Sequence, residues 1–381
     1  MTAPAPPGRA EDRRRAGLAV VGGGPIGLAT AIAARQLGLE VVLLERRQPP
    51  LEKACGEGIM PDGVEILSSL GVSLAPPDAM PFVGIRFIDG DIVATARFRG
   101  RPGQGIRRTV LQAALLQRAR EAGVRLRFGV TVQGLHPEGV DTDHGPVPAR
   151  WVIAADGASS RLRSAVALNR TVHSRRFGLR RHYAIRPWSD YVEVYWADGV
   201  EAYITPVGPR LVCVAMLTGA ASPRFDEALA RFPSLAHRLG TAPVASRLLG
   251  AGSVFQSVHP VVLGRLALVG DASGSVDAIT GDGISLGVHQ AVALARALRR
   301  ENLSLYDAAH RRLMRLPSAM TRLLLSVDRR RRTRRAALRM LRSAPVLFNG
   351  LLGLHTRSLW PASTPKAARP LRHSPSGAST R

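Results

Sequence analysis

One stretch constrains this chain more than any other: residues 18–47, LAVVGGGPIGLATAIAARQLGLEVVLLERR. Leu18, Ala19, Val20 and Val21 make a continuous apolar run, the pattern of a parallel strand buried on both faces. Gly22, Gly24 and Gly27 follow with the spacing G-x-G-x-x-G. A segment rich in Ala, Leu and Ile then reads as a helix stopped by Gly38, and positions 41–44 read as a second strand. Glu45 ends that strand, 23 residues beyond Gly22. Each part has a physical job. Gly22 permits a tight turn, Gly24 lets the backbone approach a pyrophosphate, and Gly27 lets the helix pack closely on the strand. Pro25 and Ile26 open the helix, whose free N–H groups face phosphate charge. Glu45 suits a ribose 2′-hydroxyl and repels a 2′-phosphate, and Arg46 beside it is counted with the same site. The order predicts an α/β unit of βαβ type that binds a dinucleotide. Which dinucleotide is open at this point.

The 381 residues suffice for two packed domains, with 45% hydrophobic and 21% charged residues. The net charge of +25 is unusual and comes almost wholly from arginine, because lysine occurs only at Lys53 and Lys366. Such a field favours anionic lipid headgroups, polyanions and acidic cofactors, and says little about fold. Two cysteines, Cys55 and Cys213, imply no disulfide framework, so the expected location is the cytoplasm. Residues 1–16 lack an apolar core segment and read as a disordered leader. No apolar run reaches about 18 residues, so no spanning helix is expected. No metal site is expected either.

Along the chain, a helix is predicted at 62–70, antiparallel strand at 82–99, and a helix at 107–122 with Leu111 and Leu115 on one face. Short strands follow at 124–128 and 130–132, then a turn-rich loop at 136–149 and an apolar strand at 151–155. From 171 to 260, strand-like pieces separated by Pro, Gly and Asp suggest an inserted antiparallel sheet, with a helix at 223–239 laid across it. Residues 265–300 return to strand, turn and helix. The predicted division is a dinucleotide domain at 17–170 and 261–305, a substrate domain at 171–260, a basic helical region at 306–360, and a disordered tail at 361–381. In the basic region Leu338, Leu341, Phe348, Leu351, Leu352 and Leu354 recur near helical spacing behind Arg329–Arg332, Arg334 and Arg335.

Two further motifs decide the dinucleotide. Asp156-Gly157, followed by Ser160 and Arg163, resembles the D-G-x-x-S-x-x-R motif of the flavoprotein hydroxylases. Gly270-Asp271, followed by Thr280-Gly281-Asp282-Gly283-Ile284, resembles the G-D motif that holds the ribityl chain of FAD in the same superfamily. Taken alone, either pair reads as a turn after a strand. In the expected order, the three motifs identify the chain as similar to the para-hydroxybenzoate hydroxylase and geranylgeranyl reductase superfamily, over residues 17–305. The resemblance implies a Rossmann-like FAD-binding domain with an inserted antiparallel β-sheet substrate domain. It places Arg108 against the FAD phosphates or ribose, Asp271 on the ribityl hydroxyls, and Gly281, Gly283 and Ile284 beside the flavin ring. A helix starting near Ile284 would stabilise the anionic reduced flavin.

In detail the chain resembles the geranylgeranyl reductase branch, through Cys55-Gly56 and the 280–284 loop. It departs from that branch at Ala278, where a proline is expected, and at Asp282, where a glutamate is. Tyr203-Ile204-Thr205-Pro206 partly echoes the branch's lipid-pocket signature. The halogenase signature W-x-W-x-I-P is absent. Cys55, His182 and Tyr183 are the candidate catalytic residues, the last two as proton donors facing a substrate cavity; Trp188, Tyr191, Tyr195 and Trp196 are candidates for its aromatic wall. NAD(P)H is the expected reductant, although no second G-x-G-x-x-G unit occurs. The first functional expectation is a monooxygenase acting on an apolar aromatic or polyketide-like molecule. The alternative is reduction of an isoprenoid or lipid double bond, and a non-enzymatic basic membrane binder ranks third. For the arginine-rich C-terminal helices, a solvated face and contact with the inner face of the membrane are both open. Nucleic acid is disfavoured, since no recognised module accompanies the arginines.

Overall fold

The strand Ala16–Val21 lies at the centre of a sheet, parallel to Val41–Glu45 on one side and to Val147–Ala154 on the other. The computed structural model describes residues 16–168, 170–219 and 224–356. The expected leader, except Ala16, and the expected tail at 361–381 lie outside the described residues. Arg125–Phe128 extends the parallel sheet past Val41–Glu45, and Leu266–Leu268 extends it past Val147–Ala154. Every residue of Val41–Glu45 is buried, because helices cover the sheet. Pro25–Gln36 packs against both Gly283–Arg299 and Arg108–Glu121. The late strand Leu266–Leu268 thus joins a sheet begun 250 residues earlier.

The second sheet has eight strands and is larger than the 171–260 segment assigned to it. Arg170–Tyr183 lies between Leu249–Val258 and Leu211–Thr218, followed outward by Val200–Gly208 and Val192–Ala197. Beyond these come Gly84–Asp89, parallel to Val192–Ala197, and then Ile92–Arg97. Two strands of the substrate sheet therefore come from the N-terminal half. Local pattern marks residues 84–97 as a hairpin but cannot say which sheet edge it joins. The turn-rich loop at 136–149 also carries structure, since Gly139–Thr142 pairs with Val132–His136 and with Val147–Ala154. The helix expected at 223–239 is two short helices, Phe225–Leu229 and Pro233–Leu239. Pro233 disfavours helical backbone at Phe232, which breaks them; Pro223 lies outside the described residues.

The C-terminal region forms Ser304–Asp328, Arg331–Ser343 and Pro345–His355. Pro345 likewise divides the run of leucines, since the residue before a proline avoids helical backbone. Leu338, Phe348 and Leu352 are buried against Phe87, Val194 and Trp196 of the substrate sheet. The arginine cluster is not one solvated face. Arg334 is among the largest fully buried side chains, and it pairs with Asp89, Asp198 and Asp328 at 2.8, 2.9 and 3.3 Å. Arg335 pairs with Asp89 and Asp91. Arg334→Ala leaves the Asp89 carboxylate buried and under-compensated, so unfolding free energy should fall by about 3 kcal/mol in a denaturant titration. The exposed neighbour Arg332, replaced by Ala, should change it by less than about 0.5 kcal/mol.

Candidate functional site

Gly22, Ala155 and Gly270 follow the ends of three parallel strands that lie side by side, and the crevice beyond their carboxyl ends is the site. Gly22 has φ +115°, and a Cβ there would collide with the Ala155 carbonyl. A Cβ on Gly27 would strike the Gly22 carbonyl, so the helix meets the strand backbone to backbone. Gly27 thus packs the turn and does not line the cavity. Around Gly24, Gly157 and Gly283, by contrast, an added Cβ meets nothing within 4 Å: these three glycines face open space. Pro25, Ile26, Glu45, Arg46 and Arg108 line the same cavity, as do Asp156, Gly270, Asp271, Gly281 and Ile284.

Hydrogen bonds hold this cradle in shape. Glu45 is buried and accepts the Gly23 N–H at 2.8 Å and the Arg47 N–H at 3.0 Å. Gln112 donates to the Gly23 carbonyl and accepts the Leu51 N–H. Arg163, buried, donates to the Ala158 and Ala272 carbonyls at 2.7 and 2.9 Å, tying the Asp156 turn to the Asp271 turn. Ser160 caps the short helix that presents Arg163 by accepting its N–H at 3.1 Å. Asp156 Oδ2 accepts the Arg161 N–H, whereas its Oδ1 and the Arg108 Nε are buried without a partner. Asp271 meets Lys53 at 3.1 Å across a half-exposed gap. Gln112, Lys53 and Gln290, which accepts the Gly270 N–H at 2.8 Å, carry no signal in the sequence because each acts across a long separation.

The cavity measures about 1050 Å³ and continues from the cradle into an apolar chamber. Phe87 stacks between Trp196 and Phe348 with ring centroids 5.1 Å apart on each side. Leu324, Leu338, Leu341, Leu351 and Leu352 complete the wall from the C-terminal helices. His355, at the end of Pro345–His355, reaches the 280–283 loop. Its Nε2 lies 2.9 Å from Asp282 Oδ2 and 3.3 Å from the Thr280 carbonyl. Burial by itself lowers the His355 pKa, but the Asp282 carboxylate and the Thr280 carbonyl outweigh it and raise it to about 9. Burial pushes the Asp282 carboxyl up, against the pull of His355. The net stabilisation of the pair is therefore smaller than the imidazole shift alone implies.

Residues 15–308 match the family model described as FAD binding domain. The chain belongs to that family. Its relatives include the chloroplastic geranylgeranyl diphosphate reductase of Arabidopsis thaliana, 29% identical over 71% of this chain and 63% of the plant enzyme. The menaquinone reductase of Mycobacterium tuberculosis is 26% identical over 76% of this chain and 78% of its own length. Among solved structures, p-nitrophenol 4-monooxygenase PnpA from Pseudomonas putida DLL-E4 superposes with a TM-score of 0.76 at 20% identity. That match covers 90% of this chain and 98% of the other, a likeness of fold. The flavoprotein is thus an enzyme of the FAD-dependent oxidoreductase class. Its residues fit FAD: the three open glycines leave room for the cofactor's backbone. The unpartnered Asp156 Oδ1 and Arg108 Nε offer it an acceptor and a cationic donor.

The candidate catalytic residues divide. Cys55 lines the cavity of the flavoprotein, half-buried, and its sulfur accepts the Glu57 N–H at 3.4 Å. His182 and Tyr183 do not line it. His182 is buried with Nε2 2.6 Å from Glu57 Oε2 and Nδ1 3.0 Å from the Ser246 hydroxyl. Tyr183, one residue on, faces the opposite side of the strand and packs on Phe225, as alternation requires. Alternation also divides Tyr195 from Trp196: Trp196 lines the chamber, while Tyr195 donates to Glu193, as does Trp188 from the preceding loop. Beside Cys55 the cavity is lined by Glu57, an acid not singled out in the sequence, whose Oε1 accepts the Arg108 N–H at 3.0 Å. Cys213 is buried behind Cys55, as a core residue would be, and burial pushes its thiol well up. Because His355 binds its proton more tightly folded than unfolded, its contribution to stability is whole below pH about 6.5. It is lost as pH rises to about 9. Across that range the melting temperature should decline by a few degrees. His355→Gln should flatten the decline in scanning calorimetry, and equal slopes in the two proteins would remove the pair.

Proposed function

We propose that this flavoprotein reduces a carbon–carbon double bond in a long apolar chain of isoprenoid type. The observation that carries the reading is the chamber: a wall of Phe82, Ile85, Phe87, Trp196, Leu338 and Leu352, continuous with the FAD cradle. Such a wall recognises an aliphatic chain by area alone, at about 25 cal/mol per Å² buried. Two relatives that span most of this chain are named as a geranylgeranyl diphosphate reductase and a menaquinone reductase, which supports the same class of substrate.

FAD, when bound, supplies the two-electron chemistry. The chain's own residues do the rest. N–H groups in the first turn of Pro25–Gln36 would hold the pyrophosphate, Glu45 would accept from a ribose hydroxyl, and Asp271 would accept from the ribityl chain. The N-terminus of Gly283–Arg299, whose Gly283 and Ile284 line the cavity, would offer its positive end to the flavin ring. The apolar wall excludes water and fixes the depth of the chain. NAD(P)H is the proposed reductant.

Hydroxylation of an apolar aromatic or polyketide-like molecule is the second reading. The stacked Phe87, Trp196 and Phe348 favour it, since they would suit a flat ring. A fungal FAD-dependent monooxygenase, OpS4 of Beauveria bassiana, is 33% identical over 39% of this chain.

The test is the purified protein with FAD, NAD(P)H and a geranylgeranyl or menaquinone substrate, with and without oxygen. Gain of two hydrogens in the anaerobic product, by mass spectrometry, is the expected outcome. No anaerobic turnover, with oxygen-dependent gain of one oxygen atom, would transfer the proposal to the hydroxylase. Asp271→Ala should lower flavin occupancy at least about ten-fold by visible absorbance, and full retention would remove Asp271 from the site.

A further inference from the structure

The apolar chamber has an outlet on the C-terminal helices. Leu323 and Met340 line the cavity, yet they are 53% and 54% exposed, which places them at its mouth. Met340 is one turn before Ala344, and the helix that follows opens with Val346 and Leu347, 76% and 44% exposed. Large apolar side chains left in water at the entrance of an apolar cavity mark a contact surface.

The charge around this rim is one-sided. Arg329 to Arg332 join the two helices that carry Leu323 and Met340, and Arg342 follows Met340 by two residues. All five are exposed, and no ion pair is made by any of them among the described residues. Arg334 and Arg335 in the same cluster turn inward to aspartates. The cluster therefore separates into a structural part and a part free to meet an anion. No helix among the described residues is long and apolar enough to cross a membrane.

We infer that this rim docks on the surface of a bilayer containing anionic phospholipid, so that the chamber opens into the acyl region. Met340, Val346 and Leu347 enter the interface, and the exposed arginines pair with headgroup phosphates. A nucleic acid would match the arginines but not the apolar residues between them. The inference goes beyond the proposed reaction and does not depend on it: it concerns how an apolar molecule enters, whatever is done to it.

The experiment uses the full-length FAD-loaded protein and flotation with vesicles of phosphatidylcholine, with or without phosphatidylglycerol. The protein should float with the anionic vesicles, less so at raised salt. Val346→Glu with Leu347→Glu should lower its partition about ten-fold, and Arg331→Glu with Arg332→Glu by a similar factor. Both sites are solvent-facing, so the variants should keep wild-type flavin absorbance and melting temperature. Failure of the proposed reaction would leave these results untouched. No flotation, or flotation unchanged in both variants, would overturn the inference. So would a change of mass in light scattering on the 346–347 substitution, which would make the rim an interface between copies. Binding of single-stranded RNA that depends on the arginines but not on Val346 and Leu347, without vesicle binding, would also overturn it.

Discussion

No side chain fits between the turn at Gly22 and the strand end at Ala155, and the rest of the molecule depends on that closeness. The same turn admits no side chain at Gly27, so the first helix starts directly against the strand. Two backbone contacts thus aim the helix N-terminus into the crevice at the strands' carboxyl ends, where its unpaired N–H groups offer partial positive charge. Arg163 extends the arrangement sideways by clamping the Asp156 and Asp271 turns together from a buried position. A guanidinium suits this task because one planar group can serve two carbonyls of different loops. Burial lowers its pKa, without bringing it near neutrality.

The substrate side is built by a different logic. The cradle is made of backbone, glycines and a few carboxylates, whereas the chamber is made of side-chain area. Its outer wall comes from the C-terminal helices, anchored at one end by Arg334 among three aspartates and at the other by His355 on Asp282. Both anchors are buried charge pairs, which add little net stability but specify one docking geometry when every member is paired. The cofactor loop and the chamber wall are thus joined directly by the His355–Asp282 pair. Leu338 and Leu352, which line the cavity, lie between the two anchors in the chain.

Glu57 shows how a polar group can enter such a site. It sits at φ +60°, a strained conformation for a non-glycine residue, and is held there by His182, by the Arg108 N–H and by the Cys55 sulfur. His182 does not face the chamber; it holds in place the acid that does.

The cofactor half of this protein was legible in its sequence, because each of its requirements is local. A turn too tight for a side chain demands glycine within a few residues of a strand, and Gly22, Asp156 and Asp271 each stand at such a strand end. The return of strand, turn and helix after residue 265 was legible for the same reason. What only the tertiary structure decided was where the remaining elements dock. The hairpin 84–97 joins the substrate sheet, His182 turns to Glu57 and Tyr183 to Phe225. Two members of the arginine cluster, Arg334 and Arg335, turn inward, and the C-terminal leucines close the chamber. Period and propensity say which face of an element is apolar, but not what that face meets. Burying area against a partner hundreds of residues away is a property of the whole packed chain.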